Sequence, residues 1–554
     1  MAETKRSPGR TAGRAQRSRP SKADEPTTPS GIPLRPVYGP DDLPADHGAR
    51  AAPPGEAPFV RGAYLQMYRG KPWRIFQLSG YGSPEELNQR LRFLLEQGET
   101  GFIMKRDRVT NDHLYDPDHP EVDARREDVG QTGSVLLSAR DVQVAIDGLP
   151  IEQTYAHPGA GVVQAAPWCL GSYWVAAKRR GVDFTKLAGT GQSDFFLTYV
   201  GCLTKDQIPP REGLRLNRDL IEFCTERMPR WVPVSVAGYN GADSGLVAHE
   251  ELGAVMANAV EYLDAVRDRG LVIDGFARGI GGVSFRTSMA FFEDIAKLRA
   301  ARKMWHDLLS QRYGVTDEKA LALRIHVVTA GSAMTYQQPL NNLVRGTLMA
   351  LAAGLGGVQS LGVSGYDEAI SIPSDHAHQM SIRIQQILQE ECGGLVDVAD
   401  PLGGSYFVES LTEALETRAW EFFEEVQARG GFIESIDDGW LLQRAADNQM
   451  AESMRSGSIV GVDIHTDDAT PWEIDGFAGG SDAWDRGMDR VAGVRRERHE
   501  AAAGDALRAL EAACRADDNV IPLMLDALDA DVTIGEVGAV YREAFGSWKV
   551  PVQL

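Results

Sequence analysis

The feature that most limits what this chain can fold into is an alternation. Between Phe59 and about residue 390, short runs rich in β-branched and apolar residues take turns with longer amphipathic stretches. The runs include WRIFQLSG (73–80), TGFIMKR (100–106), VPVSVAGY (232–239) and LRIHVVTAG (323–331). Among them lie PEELNQRLRFLLEQG (84–98), LGAVMANAVEYLDAVRDRG (252–270) and MAFFEDIAKLRAARKMWHDLLSQRYG (289–314), with apolar residues at helical spacing. A strand followed by a helix and then another strand must cross over, which makes neighbouring strands parallel. The length of this region suits an α/β fold of the eight-stranded βα (TIM) barrel type, and the pattern alone leaves a doubly wound sheet open.

Past about residue 405 the strand signal fades, and LTEALETRAWEFFEEVQARGG (411–431) and AGDALRALEAACRADD (503–518) predict a mainly helical C-terminal region. Residues 1–57, rich in Pro, Gly, Ala, Arg and Asp, show no periodicity and read as a disordered or draping arm. The expected organisation is therefore an arm over 1–57, a barrel over 58–400 and a helical region over 401–554.

Charge narrows the functional classes. With 57 Lys and Arg against 78 Asp and Glu, the formal charge of −21 repels nucleic acid over most of the surface. The stretch from Lys5 to Lys22 runs the other way, with seven basic residues and no acidic one. It reads either as a nucleic-acid or partner-binding tail or as a solvated extension. No run of apolar residues is long enough to span a membrane, and the basic N-terminus lacks the apolar core of a secretion signal. The five cysteines are scattered with no CxxC or Cys/His cluster, so neither a disulfide framework nor a metal site is expected and a reducing, cytoplasmic setting fits. His376 and His378 have no third ligand beside them, and His326 reads as structural.

Several segments resemble the methylmalonyl-CoA mutase family, in the family's order. They are RGAYLQMYRGKPW (61–73), FFEDIAKLRAARKMW (291–305), NNLVRGTLMALAAGLGGVQSL (341–361), DEAISIPSD (367–375) and DPLGGSYFVE (400–409). PVYGP (36–40), VGVDIH (460–465) and NVIPLMLDALDADVTIGEVGAVYREAFG (519–546) are similar to the large subunit of two-component isobutyryl-CoA mutase-like members. The resemblance implies a βα barrel that takes coenzyme A lengthwise and an adenosylcobalamin-dependent radical 1,2-rearrangement of an acyl-CoA. It implies cobalamin carried on a small separate subunit, and a heterotetramer of two large and two small chains. The family's cobalamin motif, DxHxxG, has its nearest approach here at Asp463-Ile-His465, with Asp468 where glycine is expected. His465 therefore reads as structural, and the cobalamin-binding module is expected on another polypeptide.

The resemblance also assigns roles. Tyr64, Gln66, Lys71 and Arg74 fall on the coenzyme A-contacting segment, while Phe76 replaces a phosphate-binding Arg that Arg74, on the same strand face, can stand in for. Gln192, in GTGQSD, matches a Gln at the reacting thioester carbonyl. Asn240, in SVAGYNG, stands where relatives carry His, so it can donate a hydrogen bond but not a proton. Leu78 and Gly201 replace the two residues that discriminate substrates, an aromatic and an Arg or Gln, which predicts a roomier and less polar pocket. Lys105 aligns with a substrate-binding Asp of a relative and is expected inward, with Arg106 outward; pairing with Asp107 or another barrel acid is the competing reading. Gln359 and Glu368 match cofactor-side residues, Glu368 as an acceptor for ribose hydroxyls. Ser332, Val328, Gly362 and Ser364 depart from the family around them. The leading expectation is a large subunit that isomerises a branched or functionalised acyl-CoA. Diversion to acyl-CoA decarboxylation or epimerisation, or a non-catalytic scaffold, are the alternatives.

Overall fold

The computed structural model describes residues 26–159, 161–202, 205–280, 282–453, 458–466, 480 and 482–551. The basic stretch Lys5–Lys22 and Asp468 lie outside the described residues. Among the described residues, ten short strands form two all-parallel sheets: β1 (Arg74–Ile75), β2 (Leu78–Ser79), β3 (Gly101–Met104), β4 (Tyr155–His157), β5 (Gly189–Thr190), β6 (Trp231–Val232), β7 (Ser235–Ala237), β8 (Gly282–Thr287), β9 (Arg324–Thr329) and β10 (Ser360–Gly362). One sheet has the order β1-β10-β9-β8-β7 and the other β2-β3-β4-β5-β6. The α/β class with parallel pairing is thus what the alternation predicted. WRIFQLSG, read as one strand, is two: β1 pairs with β10 and β2 with β3. The break falls at Gln77, whose N–H is taken by the Glu99 carboxylate while its side chain bonds both the N–H and the C=O of Val363. The second interruption, between β6 and β7, contains Pro233, which has no N–H to offer a ladder.

The helices between strands start where local chemistry tells them to. Ser83 caps Pro84–Glu96 in a reciprocal box with Glu86, and Pro84 supplies the fixed φ of a first helical position. Buried apolar side chains form two large cores. One gathers Val234, Val283, Phe285, Ile325, Val327 and Leu361 with helices Ala248–Arg267, Phe291–Asp307 and Tyr406–Ala428. The other gathers Phe102, Met104 and Ala156 with helix Ala166–Arg179 and the C-terminal helices Glu500–Arg515, Val520–Asp529 and Ile534–Phe545. The helical C-terminal region is therefore divided between the two cores.

The described part of the N-terminal arm drapes over helix Tyr406–Ala428. Ile32 packs on Leu411 and Leu415, Arg50 pairs with Glu416 at 2.6 Å, and the Ser30 N–H bonds Glu293. Among the described residues no helix is long and apolar enough to cross a membrane, and no group of three or more metal-ligating side chains occurs.

Candidate active-site cavity

Both sheets contribute walls to one cavity of about 960 Å³. Because all strands run the same way, residues at strand starts gather at one end and residues just past strand ends gather at the other. The starting end is cationic: Lys71, Arg74, Arg230, Arg278, Lys319 and Arg324 line it, with Glu318 the acidic wall residue there. Few of these charges are spent. Arg74 lies over the Tyr155 ring at 4.2 Å and Lys71 over Tyr64 at 5.5 Å, while Arg230 and Arg324 bond backbone carbonyls. Burial, together with Arg74 and Arg324 nearby, holds the Lys71 ammonium below the usual lysine range. Such a cluster in a chain of net −21 is suited by charge to a polyanion.

Midway along the walls, His157 and His326 stay neutral. Burial lowers both to about 4, and the His157 Nδ1 accepts the Gly159 N–H, which leaves its Nε2 as the donor. Phe76 stands between His326 and Tyr155, with ring centroids 5.9 and 6.0 Å away. Arg74 and Phe76 both line the cavity, as alternate residues should.

At the far end the two amides assigned to the reacting carbonyl meet. Gln192 Nε2 donates to Asn240 Oδ1 at 2.7 Å, leaving the Asn240 amide N–H groups and the Gln192 carbonyl to face other partners. Gln192 is set by its neighbours. Asp194, two residues on, accepts from the Phe196 N–H and Asn258 Nδ2 at 2.8 Å each and from the Tyr262 hydroxyl at 3.3 Å. Ser193 (φ 40°) is held by Asn217. Burial pushes the Asp194 carboxyl up to about 7 despite these donors. Tyr239, beside Asn240, also lines the cavity.

Leu78, Lys105 and Gly201 line this same end. A Cβ at Gly201 would lie 3.5 Å from the Asn240 Cβ and the Phe196 carbonyl oxygen and 3.7 Å from Ser244 Oγ, so it would sit there in ordinary contact without a clash. Arg106 is turned away, its guanidinium bonded to Pro158 O, Cys169 O and Ser172 Oγ and lying over Trp168. Asp107 caps the turn at Thr110 and accepts from the Gly130 N–H.

Of the expected site residues, Gln66 and Glu368 lie outside the cavity lining and Gln359 lines its cationic end. Gln66 is exposed outside the cavity beside Gly70. Gln359 precedes β10, at the cationic end, and its amide is spent on the Ile325 N–H and Gly357 O. It therefore lies at the opposite end from Glu368, which follows β10 by six residues near Gly331 and Asp243. Glu368 is an exposed residue, yet desolvation of its carboxyl by surrounding protein, with Asp367 and Asp243 nearby, pushes it up to about 7. His465 carries a positive φ of 52° and offers its carbonyl to Gln338, a loop role. His326, read as structural, faces the cavity. Sequence reasoning missed Arg230, Arg278, Lys319 and Tyr239. It could have reached Arg324 by parity, since Arg324, His326 and Val328 alternate along β9.

Parallel sheets walling one cavity, cationic at one end and amide-lined at the other, define an α/β protein with an interior pocket. Comparison with known proteins gives the family: residues 27–547 match the profile of methylmalonyl-CoA mutase. The chain is 33% identical to the 2-hydroxyisobutanoyl-CoA mutase large subunit of Aquincola tertiaricarbonis over 503 residues, 90% of this chain and 88% of that one. It is 34% identical to the methylmalonyl-CoA mutase of Rhizobium meliloti (94% and 72% covered) and 32% to the mitochondrial human enzyme (94% and 69%). The chain belongs to the methylmalonyl-CoA mutase family and is an isomerase of the acyl-CoA mutase class.

Proposed function

We propose that the chain is the substrate-binding large subunit of an adenosylcobalamin-dependent mutase that rearranges the carbon skeleton of a branched or functionalised acyl-CoA. In this reading the two sheets are the halves of one eight-stranded barrel. Strands β1 with β2, and β6 with β7, are each a single strand interrupted by two residues. The observation that carries the reading is the cavity itself. Its cationic end suits the phosphates of coenzyme A, its neutral middle suits the pantetheine arm, and the Gln192–Asn240 pair sits where a thioester carbonyl would arrive.

The chain's own residues then have separable roles. Lys71, Arg74 and Arg324 hold the phosphates, and the Asn240 N–H groups polarise the carbonyl without supplying a proton. Leu78 and Gly201, the glycine with no side chain of its own, accommodate the acyl branch, and the enclosing walls keep water from reactive carbon. Cobalamin, when bound, supplies radical initiation. The residues present fit its sugar end beyond the amide pair: Glu368 would accept hydrogen bonds from sugar hydroxyls there, with Ser332 close to Asp243 beside it. Gln359 takes no part, since its amide is spent at the other end. The 2-hydroxyisobutanoyl relative is named a large subunit, which supports a smaller partner; in this reading that partner carries the cobalamin, in a cytoplasmic assembly of two large and two small chains.

The test combines the chain with a small cobalamin subunit of a two-component relative, adenosylcobalamin and a panel of acyl-CoAs. The expected result is an isomeric acyl-CoA of unchanged mass, with a change in the visible spectrum of the cobalamin that depends on the acyl-CoA. Loss of carbon dioxide from the product would favour the decarboxylase reading, to which the missing proton donor at Asn240 gives some ground. No spectral response to any acyl-CoA would favour a scaffold.

A further inference from the structure

We infer that His157 is a further catalytic residue, donating its Nε2–H to the carbonyl oxygen of the bound thioester; the inference rests on the acyl-CoA reading above and adds a residue to that site. A carbonyl oxygen has two lone pairs, and the amide pair offers the first of them an Asn240 N–H. The second needs a donor from another strand. Thr190 lines the cavity, but its hydroxyl is turned onto the Gly191 carbonyl.

The strand ladders fix how far along the cavity His157 lies. Leu78 pairs with Ile103, and Ile103 with His157, so the imidazole shares a rung with Leu78 at the acyl end. His326 shares its rung with Ser360 and Arg74 instead, towards the cationic end. On the other side Ala156 pairs with Gly189, which sets Thr190 beside His157 and Gln192 two residues further along. Two residues of strand span about 6–7 Å, so an oxygen between the His157 and Gln192 rungs is within roughly 3 Å of both. Lys105, two residues beyond Ile103, is the other donor within reach.

The ring is set for this task by its own turn. The Gly159 N–H donates to His157 Nδ1 at 3.1 Å, so the neutral ring carries its proton on Nε2. Gly159 has a φ of 84°, and a side chain there would run into the Met104 carbonyl. The buried Arg106 guanidinium braces the same turn, bonding the Pro158 carbonyl at 2.6 Å. Nε2 meets no protein donor or acceptor among the described residues, and the side chain lines the cavity. Burial, with His326 and Lys105 nearby, holds the ring neutral at about 4. His157 therefore keeps its proton and gives only a hydrogen bond. Negative charge that builds on the carbonyl oxygen during a rearrangement meets a donor already in place.

The experiment is infrared difference spectroscopy of butyryl-CoA, isotope-labelled at the thioester carbonyl and bound to the chain without cobalamin, with affinities from calorimetry. On the native chain the carbonyl stretch should fall below its value in water. His157→Phe should return it to that value or above and weaken butyryl-CoA about three- to tenfold, the loss of one hydrogen bond, with coenzyme A within twofold. His157→Gln, whose amide reaches the position of Nε2, should restore most of the lowering. His157→Leu makes the same comparison if the Phe ring is not tolerated. A stretch unchanged by His157→Phe or His157→Leu would overturn the inference while leaving the acyl-CoA reading standing. So would a lowering that survives them and is lost in Lys105→Met, which would make Lys105 the donor. Failure of coenzyme A and butyryl-CoA to bind at all would overturn that reading and this inference together.

Discussion

At the scale of single residues, this site is controlled by where desolvation is tolerated. Asp194 is fully buried two residues from Gln192, and its three donors do not recover what burial costs, so its carboxyl is raised from 3.8 to about 7. The folded-state value lies above the unfolded one, so its contribution to stability is complete below about pH 4. It is lost as pH rises towards 7, because only the unfolded chain has by then released the proton. The loss is on the order of 4 kcal/mol at most. In Asp194→Asn that slope between pH 5 and 8 should flatten, as denaturant titrations at several pH values would show. A smaller pH-independent cost of roughly 1–3 kcal/mol should remain, from an amide N–H facing the Phe196 N–H. An unchanged slope would mean that Asp194 is ionised in the fold.

At the scale of elements, what could be read from the sequence depended on how local the determinants are. Helices with their own caps and apolar stripes, such as Pro84–Glu96 and Glu500–Arg515, stand within a few residues of their expected positions. The interruption of WRIFQLSG did not show, because it is imposed on Gln77 by Glu99 and Val363, which are distant in sequence. Side-chain parity required one of Lys105 and Arg106 to face the cavity and the family resemblance pointed to Lys105, yet nothing in the sequence marks Arg230, Arg278 and Lys319. Those cations come from segments that precede strands, where no periodicity operates and only the common direction of parallel strands brings them together. Gln359 and Glu368 show the same effect in reverse: nine residues apart, they bracket a strand and land at opposite ends. This arrangement makes a selective prediction. Arg74→Ala and Arg324→Ala should each weaken coenzyme A binding about tenfold and reduce its salt dependence, since each removes a charge-assisted contact of roughly 1.5–3 kcal/mol. Gln66→Ala, on the outer side of the same segment, should change neither. Loss of affinity in Gln66→Ala, with Arg74→Ala unaffected, would place the phosphates outside the cavity.

At the scale of the whole molecule, the division of the C-terminal helices between two cores means that the last 50 or so residues are structural to the catalytic framework. Helix Val520–Asp529 lies against helix Ala166–Arg179, close enough that a Cβ on Gly171 would come within 2.7 Å of Leu528 Cδ1. Val520, Ile521, Met524 and Leu528 are all fully buried there. At about 1.5–3 kcal/mol for each such side chain, these four contribute roughly 6–12 kcal/mol, an upper range since the unfolded chain hides some of that surface. The net stability of a folded domain is only about 5–15 kcal/mol, so this one helix is comparable with the whole. Polar ties add to it: Arg140 pairs with Asp531 at 2.7 Å, and Gly535 donates its N–H to the buried Asp116. A chain ending at residue 497 should therefore fail to unfold cooperatively, measured by circular dichroism during heating, and should lose coenzyme A binding although no cavity-lining residue has been removed. Met524→Ala separates packing from truncation: it should keep the fold and lower stability by about 2–5 kcal/mol. If the shortened chain melted cooperatively near the temperature of the full one and still bound coenzyme A, the C-terminal helices would be an appendage and the cavity walls would stand without them.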